Sequence, residues 1–341
     1  MTDAPDPVEH FFAQPWSDGL PVVVPTEERL ADMLAGHAPD ALIGHVPPAN
    51  HPATVEAVAL HAVMSGCKPE YFPALLCALR CILDPRFNMN GIQATMNPAG
   101  PLIVMNGPYP REIGVHGGTG CLGPGFRANA TIGRALRLML LNLGGGIPGV
   151  VDMSTFGSPS KFTYCLRENE EISPWASLAE ERGFGRDENV VTACAGEGPR
   201  VALDDSSDHP DGVLTTIAST ISTMGTRHAY SRVGLTVIMG PEHAQLLADH
   251  GYSRDDAKKG IAERAQLPVG LLKRGGRYRG KEKSEWPAWV DHDDDACMAP
   301  MIREPEDITL LVAGGLPGPS SFIIPGWNDT SRPVSKAFVV E

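Results

Sequence analysis

"PLIVMNGP" (101–108) is the stretch on which the fold turns. Leu102 to Met105 are consecutive apolar residues, and Asn106-Gly107-Pro108 is a turn signal directly behind them. A short apolar run closed by Gly and Pro predicts a strand buried on both faces. Two later stretches share the texture: "LTVIMGP" (235–241) and "ITLLVAGG" (308–315). Each predicts a short strand running into a glycine turn. Ligand-facing loops at the carboxyl ends of buried strands are the habit of α/β proteins. The echo is too short to establish a repeat, since the buried strands of any α/β protein share it.

Helical patterns lie between these strands. Residues 25–35 predict a first helix, with Thr26 as N-cap and Gly36 as its stop. "ATVEAVALHAVMS" predicts a second, ending at Gly66. A third follows Pro69, with Phe72, Leu75, Leu76, Leu79, Ile82 and Leu83 at helical spacing, and ends at Asp84-Pro85. "RANATIGRALRLMLLNLGG" predicts a strong helix closed by Gly144. "KFTYCL" (161–166) alternates and predicts a strand. "GVLTTIASTISTMG" and residues 242–266 predict further helices. The fold class is therefore α/β: a mixed sheet with helices and glycine-rich loops at strand ends. The polar, acidic "EGPRVALDDSSDHPDG" places a boundary near residue 200. It divides the chain into two α/β subdomains, 1–199 and 200–341.

The chain has 341 residues and a formal net charge of -13. Such acidity repels a phosphate backbone, and the one basic cluster, "LLKRGGRYRGKEK" (271–283), is broken by glycines. Nucleic acid is not the expected partner. The first residues show neither a basic n-region nor an apolar h-region, so no signal peptide is expected. No stretch reaches the roughly 18 uninterrupted apolar residues of a membrane helix. Seven cysteines in a chain with no export signal fit reduced thiols in a cytoplasm.

The candidate chemistry starts at Cys67, in "VMSGCKPEYFP". It sits between a helix end at Gly66 and a helix start at Pro69, with Lys68 beside it. Unpaired N–H groups and a lysine both stabilise a thiolate. The alternative is a small residue packing a helix corner. Cys77 and Cys81, four apart among leucines, read as core. In "CLGPGFRANATIGR" (121–134), Arg127 at a helix start suits a carboxylate or phosphate. The loop has neither the dinucleotide-binding spacing nor that of a Walker A loop. Cys165 is followed by Glu168, Glu170 and Glu171, carboxylates suited to acid–base work or to a solvated turn. Ser158 and Lys161 match S-x-x-K by spacing alone. His116 and Cys121, and "DHDDDAC" (291–297), offer metal-binding atoms without a zinc or calcium spacing, and no metal is expected. Ser320 and Ser321 read as a secondary pocket wall. The sequence names no cofactor.

"WSDGLPVVVPTEER", "AVMSGCKPEYFP", "GPGFRANATIGRALRL" and "YCLRENEEISPW" together resemble an uncharacterised bacterial family. Its members occur with, or fused to, UGSC-motif (seleno)proteins. The resemblance covers most of the chain to about residue 200. It implies that Cys67, Cys165, the Asn106 turn and the Arg127 loop belong to recurring motifs. It implies no reaction, and the U/C-G-S-C motif itself is absent here.

These readings predict a cysteine-dependent enzyme for a small molecule, using thiol nucleophile or thiol-redox chemistry. Cys67 is the working thiol, Cys165 a second thiol, Glu168 or Glu171 the acid or base. Asn106, His116, Arg127 and Lys161 bind substrate. A lyase or hydrolase run by carboxylates and His116 is the second reading. A non-catalytic subunit of a thiol enzyme is the third. A homo-oligomer is compatible with each.

Overall fold

The computed structural model describes residues 7–34, 36–227 and 233–340. Its helices are α1 (Pro7–Phe12), α2 (Glu27–Leu34), α3 (Val55–Ser65), α4 (Phe72–Ile82), α5 (Met89–Gln93) and α6 (Pro108–Glu112). They continue with α7 (Arg127–Asn142), α8 (Leu178–Glu181), α9 (Pro210–Ile221), α10 (Pro241–Asp249), α11 (Arg254–Arg264) and α12 (Val269–Leu272). The first strands are β1 (Leu42–Val46), β2 (His51–Thr54), β3 (Gly100–Asn106), β4 (Cys165–Arg167), β5 (Asn189–Gly196) and β6 (Arg200–Leu203). The rest are β7 (Leu235–Met239), β8 (Gln266–Pro268), β9 (Met298–Pro300), β10 (Ile308–Val312), β11 (Ser320–Pro325) and β12 (Val334–Phe338).

Two four-stranded mixed sheets form, ordered β12-β5-β3-β4 and β10-β7-β11-β6. β1 and β2, and β8 and β9, form small antiparallel pairs. The two large sheets stack. Leu102, Val104 and Leu166 of the first meet Ile238, Leu311 and Ile324 of the second in one buried cluster. The outer face of the first sheet, with Ile103, Met105 and Val191, packs on residues of α3, α4 and α7. The outer face of the second, with Val237, Met239 and Leu310, packs on α9, α10 and α11. The result is four layers, helix–sheet–sheet–helix. Every residue of β3, β7 and β10 is buried, which is why each reads as a nearly unbroken apolar run, with Asn106, Thr236 and Thr309 the polar residues in them.

The echo in the sequence has a structural counterpart. β3 lies between parallel β4 and antiparallel β5. β7 lies between parallel β10 and antiparallel β11. Each central strand runs into Gly-Pro and a helix, α6 after β3 and α10 after β7. The fourth strands are exchanged: β6 follows β5 yet pairs with β11, and β12 follows β11 yet pairs with β5. The chain thus leaves the first sheet between Gly196 and Arg200 and returns to it at Val334.

Local chemistry fixes the boundaries. Thr54 caps α3 by accepting from the Ala57 N–H, and Gly66 ends it at a φ of +88°. Thr26 accepts from the Arg29 N–H at the start of α2, while Ala35 lies outside the described residues. Gly107 is obligatory: its φ is +98°, and a Cβ there would collide with the Glu188 carbonyl. The strand expected at 161–166 forms only at Cys165–Arg167. Pro159–Lys161 is instead a 3₁₀ turn, because Ser158 caps the Ser160 N–H. Among the described residues no helix is long and apolar enough to cross a membrane.

Candidate functional site

The carboxyl ends of β3 and β4 bring Asn106 beside Glu168 and Glu170, with Glu171 next in the chain. Asn106 closes β3 and donates from Nδ2 to Glu168 at 2.7 Å and to Glu170 at 3.0 Å. Its own Oδ1 is buried without a partner. Glu170 also accepts from the Gly107 N–H at 3.2 Å. Glu171 accepts from Arg167 at 2.7 Å and from Arg111 at 3.2 Å. Burial pushes the Glu171 carboxyl up, but these guanidinium donors win and hold it below the usual range.

Glu168 is fully buried and ties the two sheets together. It accepts from the Leu178 N–H at 2.6 Å, Arg254 at 3.0 Å and the Val312 N–H at 3.3 Å. Burial pushes its carboxyl up, and Arg254 and the N–H donors only partly offset that. Glu170 and Glu171 border a polar cavity of about 530 Å3 with Arg111, Trp175 and Arg186.

The cysteine corner is different. Cys67 and Cys165 both belong to the core between the first sheet and its helices. Burial pushes the Cys67 thiol up to about 12, against weaker opposing effects from Thr131, Arg127 and Arg134. The expected thiolate is therefore disfavoured: burial outweighs the helix start, and Lys68 turns to Glu70 at 3.1 Å. Burial also raises the Cys165 thiol, with Cys67 adding to the effect. Cys77 and Cys81 are buried, with sulfurs on the Lys336 and Val191 carbonyls. Arg127 donates from Nε to the Gly66 carbonyl at 3.0 Å. None of Cys67, Cys165 and Arg127 borders any cavity described here.

His116 stacks on Phe126, with ring centroids 3.7 Å apart, and its Nε2 lies 3.0 Å from the Thr119 carbonyl. Lys161 pairs with both oxygens of Asp152, at 2.8 and 2.6 Å, rather than with Ser158. Among the described residues no group of three or more His, Cys, Asp or Glu is placed to hold a metal ion.

The second sheet carries a cavity in the place equivalent to the first. About 490 Å3 opens where β7 and β10 end and β11 begins, closed by the loop around Cys121. Ile238, Ala313 and Phe322 make its apolar walls, and Gly240, Gly314 and Gly318 expose backbone. Burial pushes the Cys121 thiol up to about 11, while the N–H groups of Gly314, Cys121 and Leu122 pull it down. Ser321 borders the cavity too. Its hydroxyl accepts from the Gly240 N–H at 3.2 Å and lies 2.9 Å from His243 Nδ1. His243 Nε2 is 3.0 Å from the Asp204 carbonyl. A carbonyl only accepts, so Nε2 carries the proton and Ser321 donates to Nδ1. A hydroxyl, an imidazole and an orienting carbonyl in series are suited to moving a proton.

In the sequence Cys121 stands as a metal candidate and as the first residue of the anion-binding loop, not as a nucleophile, and His243 carries no signal. The available signal was "LTVIMGP", whose carboxyl end is where this cavity forms. The chain matches no protein-family model, no curated protein and no solved structure.

Proposed function

We propose that this chain is a cysteine-dependent enzyme acting on a small, largely apolar electrophile, with Cys121 as its nucleophile. One observation carries the reading. Of the seven cysteines, Cys121 borders a cavity of about 490 Å3, large enough for a small molecule. The N–H groups beside its sulfur stabilise the thiolate when it forms, and they suit an oxyanion built on a bound substrate. Ser321 with His243 is the candidate acceptor for the thiol proton. The reading carries with it the glycine-rich strand-end loops, the two subdomains and the resemblance to the UGSC-associated family.

The carboxylate reading is favoured by a different observation: Glu170 and Glu171 face a cavity of about 530 Å3. Both carboxylates already accept two donors, which suits binding a polar group better than moving a proton.

Competitive alkylation separates the readings. The full chain is treated with iodoacetamide and a neutral aryl haloacetamide near neutral pH, and modified cysteines are mapped by mass spectrometry. Cys121 is expected to react at least about tenfold faster than Cys67 or Cys165. The aryl reagent should favour it further. Equal, slow modification of all three removes Cys121 as nucleophile. If a substrate is found and Cys121→Ser keeps full turnover while Glu170→Gln loses it, the carboxylate reading replaces this one.

A further inference from the structure

A third cavity, of about 820 Å3, lies away from both strand-end sites, between α7 and the segment 146–162. Arg137 of α7, Asp152 and Lys161 border it, with Phe156 and Phe162 beside them. The charges are unevenly matched. Asp152 spends both carboxylate oxygens on Lys161, and the two side chains are only 9% and 11% exposed. Asp18, also on the wall, spends both of its oxygens on Arg134, at 2.7 and 2.9 Å. Arg137 makes one hydrogen bond, from Nε to the Lys161 carbonyl at 2.9 Å. Among the described residues its two η nitrogens have no hydrogen-bond partner, and Arg137 borders the cavity. Burial lowers this guanidinium to about 10, opposed only by the charge of Asp152. With both Asp152 oxygens taken by Lys161, this half-buried guanidinium has no carboxylate bonded to its forked end.

The rim is apolar. Phe156 is 97% exposed and Phe162 49%, and both rings border the cavity that Arg137 borders. We infer that this cavity binds an organic monocarboxylate with an aromatic or aliphatic tail. The carboxylate takes the two η N–H groups of Arg137 side by side, and the tail lies on Phe156 and Phe162. Planar, paired N–H donors match a carboxylate's two oxygens. A phosphate dianion fits less well, because its second charge would face the carboxylates of Asp152 and Asp18.

The test uses the full chain with phenylacetate, phenylacetamide and phenyl phosphate. Phenylglyoxal modification of arginines is mapped by mass spectrometry with and without each compound, and binding heats are measured in parallel. Phenylacetate should slow modification of Arg137 and bind at least about tenfold more tightly than the amide. Arg137→Gln should abolish its heat. Should that variant fail to fold, protection of Arg137 in the unaltered chain decides alone. Equal protection by the amide, no protection by phenylacetate, or tighter binding of phenyl phosphate overturns the inference. Cys121 takes no part in this readout, so its result is independent of the proposed enzyme activity.

Discussion

The two strand-end cavities occupy equivalent places in the two sheets, yet one is wired with carboxylates and the other with a thiol and bare backbone. Their frames match: a central strand, a parallel neighbour, an antiparallel neighbour and Gly-Pro opening a helix. What differs is which way the last strand residue points. Leu102 and Val104 face the other sheet, so Asn106, two residues on, continues that row. Leu235 and Val237 face the helices, so Met239 is packed among them. A one-residue difference in phase before the same Gly-Pro turn exchanges every side chain between faces. In the first sheet it brings an amide and Glu168 into the middle of the molecule. In the second it leaves the strand end to glycines, and Cys121 enters from another loop.

Glu168 is where breaking this contrast should cost most. It is a buried charge paired with Arg254 and linked to a strand of the opposite sheet. Glu168→Ala leaves Arg254 partly unpaired, with the Val312 and Leu178 N–H groups unsatisfied. The expected loss is about 3–5 kcal/mol, read by urea or guanidinium denaturation. A loss below about 1 kcal/mol would mean that the two sheets do not depend on this carboxylate, and the contrast drawn here would fail.

Much of the frame was legible because burial on both faces leaves a run such as "LIVM" with no polar residue. The same pattern located β3, β7 and β10, and caps such as Thr54 and Gly66 located the helices. Less could be read where a strand was short and followed a proline. β4 is three residues, and the Pro159 turn takes Lys161, the first residue of the expected strand. The exchange of β6 and β12 between sheets was not legible, since pairing partners leave no periodic trace. Of the candidate site, Asn106 and Glu168 meet, together with Glu170, and Glu171 borders the same cavity as Glu170. Cys67 is close to Cys165, but inside the core. Cys121 was passed over because the backbone that gives its sulfur a setting includes Gly314, from the other end of the chain. Local sequence cannot state that contact.

On the thiol side of the comparison, Ser321 is the counterpart of Asn106. It is a buried polar group at a strand end that fixes its neighbours, here Gly240 and His243. Ser321→Ala leaves the Gly240 N–H and the His243 imidazole short of a partner. The expected cost is about 1–3 kcal/mol in the same denaturation assay. It should also slow the alkylation of Cys121 and leave that of Cys67 unchanged. If the cost appears while Cys121 reacts as before, Ser321 and His243 lock α10 to the sheet and do not serve the thiol.

The smallest effect compares the thiol in the cavity with the thiol in the core. An ordinary cysteine loses its proton near 9, whereas Cys67 is held up to about 12 and Cys121 to about 11. Below pH 9 neither the folded nor the unfolded chain is ionised at these positions. Above it the unfolded chain releases protons that the native chain keeps. Stability therefore falls as pH rises, by up to about 1.4 kcal/mol per pH unit for each such thiol. The decline from Cys121 should end near 11, and that from Cys67 should continue toward 12. Cys67→Ser removes one of these contributions. From pH 9 to 10 the variant should lose about 1 kcal/mol less stability than the unaltered chain. Only the slope matters, because any packing cost of the serine is the same at each pH. Parallel curves would mean that Cys67 ionises as easily in the folded chain as in the unfolded one. The helix start at Pro69 would then outweigh burial after all, and the corner at Cys67 would compete with Cys121 for the role of nucleophile.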